Sequence, residues 1–152
     1  MVIEVAGKDE KERICREILE ALPDWFGNPE SVEEYAIGCR ELPLWADMES
    51  GAAGGFIAFR PTGPKAGEIY VMGVRRESHR RGVGRRLFEA LYAFAEREGF
   101  RFLTVKTVQM GRYPDYDGTN LFYQSLGFTE LECFPGLWDE ANPCQVYIMD
   151  VE

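Results

Sequence analysis

The spacing of hydrophobic and polar residues along the chain changes several times, and each change marks a predicted element of secondary structure. Apolar residues at helical spacing predict four helices, over Asp9–Leu22, Asn28–Glu41, Gly82–Glu98 and Thr119–Leu126. We expect Asp9 to cap the first helix, and Asn28 and Pro29 to be the N-cap and first residue of the second. The apolar stripe of the third helix consists of Leu87, Leu91, Phe94 and Ala95.

Apolar runs and alternating patterns predict seven strands. They cover Val2–Ala6, Pro43–Glu49, Gly55–Arg60, Glu68–Val74, Phe102–Val108, Phe128–Phe134 and Cys144–Val151. In the strand Glu68–Val74, Ile69, Val71 and Gly73 alternate with a second apolar set, so we expect this strand to be buried on both faces. Residues 50–54, 61–67 and 111–118 are predicted turns and loops. The order of elements predicts an α/β protein built on a mixed sheet, and no linker divides residues 1–152, which we expect to form one domain.

Composition narrows the class of protein. Hydrophobic residues make up 45% and charged residues 28%, as in folded globular proteins. No apolar run approaches the ~18 residues of a membrane-spanning helix, and no signal-peptide pattern opens the sequence, so we expect a cytoplasmic protein with no membrane contact. A net charge of −9 argues against a general nucleic-acid partner.

The cysteines and the single histidine predict no metal centre. His79 has no second histidine at metal-ligand spacing, and no Cys-x-x-Cys pair occurs. We expect the cysteines to be free, small apolar side chains. They are Cys15, Cys39, Cys133 and Cys144.

Positive charge is concentrated in one short segment. Residues 75–86 hold six arginines and one acid, and they follow a predicted strand and lead into the clearest helix. Backbone N–H groups at a helix N-terminus favour a bound phosphate, and glycines such as Gly82 and Gly84 let the main chain approach it. The segment predicts an anion site suited to pyrophosphate, with a glycine-bearing turn that binds nothing as the alternative. It is not a Walker A loop, and Leu87 stands where a dinucleotide fingerprint has its third glycine.

Two segments resemble a known family. The strand, the loop His79-Arg80-Arg81-Gly82-Val83-Gly84 and the helix are similar to the Gln/Arg-x-x-Gly-x-Gly/Ala core of the GNAT N-acetyltransferase superfamily, with His79 where Gln or Arg is usual. The segment Asn120–Phe128 is similar to the family's Phe-Tyr-x-x-x-Gly-Phe. The resemblance implies a GNAT fold: a central, mixed, mostly antiparallel twisted sheet of six or seven strands with about four helices.

The resemblance also implies a cosubstrate, acetyl-CoA, and residues that bind it. Backbone groups of Met72, Gly73 and Val74 would bond the pantetheine arm. The loop would hold the pyrophosphate; its residues are His79, Arg80, Arg81, Gly82, Val83, Gly84 and Arg85. Tyr116 stands where many members have an asparagine, seven residues before the tyrosine of the second motif.

Catalytic roles follow from the same resemblance. Tyr123 corresponds to the tyrosine that protonates the departing thiolate, with core packing as the alternative. Glu68, six residues before Val74, lies where the histone acetyltransferase branch has its general base; a surface glutamate is the alternative. Asp115 and Asp117 are other candidates for the base, or simple turn residues. The implied reaction is direct transfer of an acetyl group to an amine.

The acceptor is open at this stage. Trp25, Phe26, Tyr113, Asp115 and Tyr116 are candidates to line its cleft, and they also suit plain aromatic packing. A small-molecule amine or a protein amine would serve, and the acidic composition favours a cationic small molecule. The paired segments Trp25-Phe26-Gly27 and Tyr113-Pro114-Asp115 look like a bacterial subgroup, in which Leu137-Trp138 and Asn142-Pro143-Cys144 belong to a C-terminal loop. The rivals are a non-catalytic acyl-CoA-binding regulatory module and a nucleotide- or phosphate-binding domain; Phe134 and Trp138 suit a homodimer.

Overall fold

A computed structural model describes the whole chain, Met1–Glu152. The chain forms seven strands and four helices. The strands are β1 (Val2–Glu4), β2 (Leu44–Glu49), β3 (Ala52–Pro61), β4 (Ala66–Val74), β5 (Phe102–Val108), β6 (Thr129–Asp139) and β7 (Asn142–Asp150). The helices are α1 (Lys8–Glu20), α2 (Pro29–Gly38), α3 (Val83–Arg97) and α4 (Pro114–Leu126), with short 3₁₀ turns at Cys39–Glu41 and Arg76–Ser78.

All seven strands form one sheet, in the order β1-β2-β3-β4-β5-β7-β6. Every neighbouring pair is antiparallel except β4 and β5, which are parallel because the chain returns through α3 between them. The predicted mixed, mostly antiparallel sheet with four helices is confirmed.

The helices cover both faces of the sheet and divide the core in two. One cluster lies under α1 and α2 and includes Ile18, Leu19 and Phe56. The other lies under α3 and α4 and includes Leu91, Leu103 and their neighbours. The predicted stripe of α3 is buried at Leu87, Leu91 and Ala95, while Phe94 is half-buried against the rings of Trp45 and Phe59.

Helices α2 and α1 differ in how their N-termini are capped. In α2, the Asn28 side chain accepts hydrogen bonds from the backbone N–H of Glu30 and Ser31, and Pro29 opens the helix, as predicted. In α1, the N-cap is Gly7, so the predicted cap at Asp9 is wrong. Asp9 lies in the first turn, where its charge is favourable beside the helix dipole.

All of the predicted turns and loops contain some regular structure. Strand β3 begins at Ala52, inside the predicted turn 50–54, and β4 begins at Ala66, inside the predicted loop 61–67. Helix α4 begins at Pro114, not at Thr119, because a proline at the first helical position and acids in the first turn suit a helix start as well as a turn. Strand β6 extends to Asp139 and pairs with β7, so Leu137-Trp138 and Asn142-Pro143-Cys144 belong to a hairpin and not to a loop.

All four cysteines are free, and three of them are buried, as expected. No group of three or more His, Cys, Asp or Glu side chains is placed to hold a metal ion. None of the helices is both long and apolar enough to cross a membrane.

Candidate active site

The two parallel strands at the centre of the sheet separate partway along their length. β4 pairs with β5 only from Ala66 to Glu68. Beyond that point Ile69–Val74 of β4 and Val105–Val108 of β5 face each other without pairing, and we call this stretch the β4–β5 gap. Backbone N–H and C=O groups along the free edge of β4, including those of the predicted residues Met72, Gly73 and Val74, therefore have no sheet partner on that side.

A β-bulge in β4 lies at the start of the gap. Ala58 of β3 pairs with Val71 and Phe59 pairs with Ile69, so Tyr70 is an extra residue between them. A bulge bends the strand and shifts its alternation by one residue. Accordingly Ile69 packs under α3 and α4 while Val71 packs under α1 and α2, and the predicted alternation of these two side chains on one face is wrong.

The loop that follows β4 leaves the N-terminus of α3 open. Gly82 is the N-cap with a φ of +76°, no side chain caps the helix, and no acid occurs in its first turn. The first N–H groups of α3 therefore point to solvent, which is the arrangement that binds an anion. Gly84 has a packing role, because a Cβ there would lie 2.8 Å from Cζ of Phe122 on α4.

Three of the six arginines in this segment are occupied by the protein itself. Arg86 donates two hydrogen bonds to Oδ2 of the buried Asp47, at 3.0 and 2.8 Å. Arg75 donates to a backbone carbonyl of β3 at 2.9 Å, and Arg76 pairs with Asp24. These three side chains brace the loop.

The other three arginines remain at the surface. Arg80 and Arg81 are exposed and make no ion pair or side-chain hydrogen bond, and Arg85 makes a 3.3 Å bond to a carbonyl of α4. Nε2 of His79 lies 2.8 Å from the carbonyl oxygen of Val74, so this ring closes the loop back onto the strand. The structure thus brings an uncapped helix end and two free guanidinium groups together at one end of the β4–β5 gap.

Tyr123 lies in the core under α3 and α4, with 6% of its surface exposed. Its ring contacts those of Phe122, Phe128 and Tyr147. Burial raises the pKa of Tyr123, so the phenol is protonated at neutral pH. Its hydroxyl has no hydrogen-bond partner in the chain. It is nevertheless not fully enclosed, because the only fully enclosed side-chain polar atom that lacks a partner is Oγ1 of Thr107. The Tyr123 hydroxyl therefore reaches accessible space.

Asn120 is a site residue that sequence reasoning missed. It is fully buried, and its Nδ2 donates to the carbonyl oxygens of Val108 at 2.8 Å and Tyr116 at 2.7 Å. Its Oδ1 accepts a 2.6 Å hydrogen bond from the hydroxyl of Tyr147. These bonds tie α4 to the end of β5 one turn before Tyr123. The available signal was a poor helix former in the middle of a helix, in a motif otherwise rich in apolar residues.

Glu68 lies where the β4–β5 gap begins, with 4% of its surface exposed. Its Oε2 accepts a 2.6 Å hydrogen bond from Nε of Arg60, and its Oε1 a 3.3 Å bond from Nζ of Lys106. The Arg60 guanidinium lies over the ring of Tyr70, 4.7 Å from its centre. Tyr70 packs against the core cluster under α1 and α2, so this ion pair lies on the same face of the sheet. Burial, and then the Glu68 charge, raise the pKa of Tyr35. Sequence reasoning did not find its cationic partners.

Trp25 joins the α1–α2 connection to the start of α4. Its Nε1 lies 3.2 Å from Oγ1 of Thr119 and 3.3 Å from the carbonyl oxygen of Asp115. The hydroxyl of Tyr116 donates to the carbonyl oxygen of Trp25 at 2.6 Å. Tyr116, which stands at the family's asparagine position, therefore links the start of α4 to the α1–α2 connection.

The remaining predicted acceptor residues lie around this junction. Phe26 packs edge-on against Tyr35, and Tyr113, with 41% exposed, packs against Tyr116. Burial, and then the neighbouring tyrosines and Asp115, raise the pKa of Tyr116 to about 12. The structure thus gathers the predicted acceptor residues where the α1–α2 connection meets the start of α4.

Comparison with known proteins agrees with this geometry. Residues 12–128 match the model of the acetyltransferase (GNAT) family. The chain is 25% identical over 119 residues to YsnE, an uncharacterised N-acetyltransferase of Bacillus subtilis (strain 168), covering 75% of this chain and 76% of the relative.

Solved structures share the fold. A proposed acetyltransferase of the GNAT family from Desulfovibrio desulfuricans superposes with a TM-score of 0.86 at 16% identity, covering 100% of this chain and 99% of that one. An aminoglycoside 6′-N-acetyltransferase complexed with coenzyme A superposes with a TM-score of 0.84 at 14% identity, covering 100% of this chain and 97% of that one. Because the family model spans well over half of the sequence, the chain belongs to the acetyltransferase (GNAT) family, whose enzymes take their acyl group from acetyl-CoA.

Proposed function

We propose that residues 1–152 act as a single acetyltransferase domain that binds acetyl-CoA along the free edge of β4 and transfers the acetyl group directly to an amine, of a small molecule or of a protein. The observation that carries this proposal is the β4–β5 gap, with an uncapped helix N-terminus at one end and with Tyr123 in the core cluster that includes Val105 of β5. A gap in the middle of a sheet exposes main-chain groups that an extended ligand can bond.

The residues around the gap suit a long anionic thioester. Free peptide groups of Met72–Val74 would bond the amides of the pantetheine arm, and the open end of α3 with Arg80 and Arg81 would hold the pyrophosphate. Thr107 supports this fit, because its buried hydroxyl lacks a partner and it lies on β5 within the gap. Acetyl-CoA supplies an activated acyl group and a thiol leaving group.

Two side chains handle the protons. A primary amine has a pKa near 10, so it must lose a proton before it attacks. In the proposed reaction Glu68 takes this proton through a water molecule, the amine nitrogen bonds to the carbonyl carbon, and the carbon–sulfur bond breaks. Tyr123, held protonated by burial, donates its proton to the sulfur. The acylated nitrogen loses its second proton to water, and Tyr123 regains a proton from solvent. Asp115 is the other candidate for the base, since Asp117 accepts a bond from the backbone of Gly111 at 2.6 Å.

Calorimetric titration of acetyl-CoA and coenzyme A tests the binding site. Gly82→Asp places a negative charge and a Cβ at the open end of α3, so we expect it to abolish binding. Gly99→Asp is the matched control, because Gly99 also has a positive φ, +81° against +76°, and lies beyond the opposite end of the same helix. Binding that is unchanged in Gly82→Asp would contradict the assignment of this loop.

Release of free thiol in the presence of an amine panel tests the reaction itself. Binding of acetyl-CoA with no release for any amine would favour a non-catalytic acyl-CoA-binding module. The homodimer stays a prediction: Phe134 and Trp138 are 40% and 45% exposed on the edge strand β6, and light scattering measures the mass in solution.

A further inference from the structure

The charges at the start of the β4–β5 gap do not balance. One carboxylate, Glu68, is paired with two cations, Arg60 and Lys106, so the cluster carries a net positive charge. The carboxylate side chain is 5% exposed, whereas the cationic side chains are 46% and 39% exposed. The positive charges therefore face solvent while the negative charge lies beneath them.

The cations have donors to spare. Arg60 directs Nε and one terminal nitrogen to a single oxygen of Glu68, which leaves further N–H groups of its guanidinium without a partner. Its plane is held over the Tyr70 ring, so the free edge has a defined direction. Lys106 has one 3.3 Å contact, to Glu68, and two more N–H donors. A second anion can be bound here without displacing Glu68.

We propose that the acceptor is a free α-amino acid, an inference that rests on the proposed function and names its substrate class. The acceptor carboxylate binds Arg60 and Lys106, and the acceptor ammonium lies on the side of Glu68, which takes its proton through the water molecule of the proposed mechanism. The anionic and cationic elements of the protein are in direct contact, so they match a ligand whose own two charges are adjacent. An α-amino acid has that spacing, whereas a carboxylate at the far end of a chain does not.

The surroundings agree with this substrate class. Tyr35 and Tyr70 pack edge-on at 5.3 Å between their ring centres, and Phe26 contacts Tyr35, which gives an apolar wall for an amino-acid side chain. A polyamine or an aminoglycoside would bring several positive charges to a cluster that is already positive. The acidic excess of the whole chain, which favoured a cationic acceptor at the level of composition, is not found at this point.

Matched acceptors test the inference by thiol release at saturating acetyl-CoA. Each amino acid is compared with its methyl ester and its decarboxylated amine, for example phenylalanine, phenylalanine methyl ester and phenethylamine, and the panel covers all the proteinogenic amino acids. We expect kcat/KM for the best amino acid to exceed that of its two analogues by about tenfold to a hundredfold, as for a lost charge-assisted hydrogen bond. The amine of an ester has a lower pKa than that of the amino acid, so more of the ester is in the reactive, unprotonated form. A slower reaction of the ester therefore cannot be explained by protonation.

Two substitutions locate the carboxylate site. Arg60→Met and Lys106→Met should each raise KM for the amino acid about tenfold more than KM for the decarboxylated amine, and should leave acetyl-CoA affinity unchanged. Because both cations pair with Glu68, any effect on that base is shared by the two acceptors and cancels in this ratio. Arg97→Met is the control for Arg60, because Arg97 also lies over an aromatic ring, and Lys65→Met, at an exposed lysine, is the control for Lys106. If Arg60→Met does not fold, Lys106→Met still decides, because Glu68 keeps one cation.

The possible failures are distinguishable. Esters and amines that react as fast as the amino acids overturn this inference and leave the acetyltransferase reaction standing. An enzyme that binds acetyl-CoA but acetylates no amino acid in the panel also overturns it. Failure to bind acetyl-CoA at all refutes the proposed function itself.

Discussion

The buried contacts of Asn120 give a quantitative test of how α4 is fixed beside the β4–β5 gap. Substitution by leucine keeps the approximate size of the side chain and removes its three hydrogen bonds, to Val108, Tyr116 and Tyr147. Each such bond contributes about 1 kcal/mol net to stability, so about 3 kcal/mol is lost. The added apolar surface of leucine offsets about 1 kcal/mol. We therefore expect the free energy of unfolding to fall by about 2 kcal/mol.

The control is Gln124→Leu, on the same helix. Gln124 donates one hydrogen bond, of 3.1 Å, to the same Tyr147 hydroxyl, so its loss should lower stability by less than about 1 kcal/mol. Urea unfolding of both variants gives the two values, and the slope m should stay constant. For a chain of this size the melting temperature of Asn120→Leu should drop by roughly 4–8 °C.

The result also bears on function. If Asn120 holds Tyr123 in place, Asn120→Leu lowers kcat at temperatures where the protein is fully folded, whereas Gln124→Leu does so much less. A variant that loses no more stability than the Gln124→Leu control would refute the reasoning, because the three bonds would then contribute nothing beyond packing.

Two further predictions concern charge and proton transfer. Tyr123→Phe should lower kcat by about 10²–10⁴-fold with unchanged acetyl-CoA affinity. Tyr92→Phe is the control. An unchanged kcat in Tyr123→Phe would remove Tyr123 from the mechanism. Burial raises the pKa of Asp47, but hydrogen bonds from the N-terminal amine and Arg86 outweigh this and lower it below its ordinary value. Its stabilisation is thus complete above about pH 4 and lost as the pH falls through the lowered folded value. Asp47→Asn should lower the free energy of unfolding by about 2 kcal/mol at pH 7 and should match the wild type in acid. Asp150→Asn is the control and should show no such loss at pH 7. A difference between Asp47→Asn and the wild type that persists in acid would contradict the assignment.

The parts of the fold that were predictable have strong local signals. The stripe of α3 follows from helical spacing, and the start of α2 follows from Asn28 and Pro29, whose side chains act within one turn. The anion loop combines two local features, glycines and arginines before a helix. Such features need no knowledge of distant residues, which is why the sequence alone predicts them.

The missed features depend on residues that are distant in sequence. Pro114 and the acids after it suit a helix start and a turn equally well, and the bond from the Tyr116 hydroxyl to the backbone of Trp25, 91 residues away, is seen only in the structure. The extension of β6 is exposed at nearly every position, so only its pairing with β7 identifies it as a strand. Likewise Glu68 acquires Arg60 from eight residues away and Lys106 from 38. Local patterns carry no information about such pairs.

The bulge at Tyr70 connects the two halves of the proposed reaction. It bends β4 where β5 departs, and it changes which face each following side chain meets. Glu68 precedes the bulge and lies on the α1–α2 face, where its partner Arg60 covers the ring of Tyr70, whereas Tyr123 lies in the core under α3 and α4. In the proposed mechanism Glu68 takes a proton from the amine on one side of the sheet, and Tyr123 gives its own proton to the thiolate on the other side, with the gap between them. The proposal therefore assigns the two proton transfers to two different side chains.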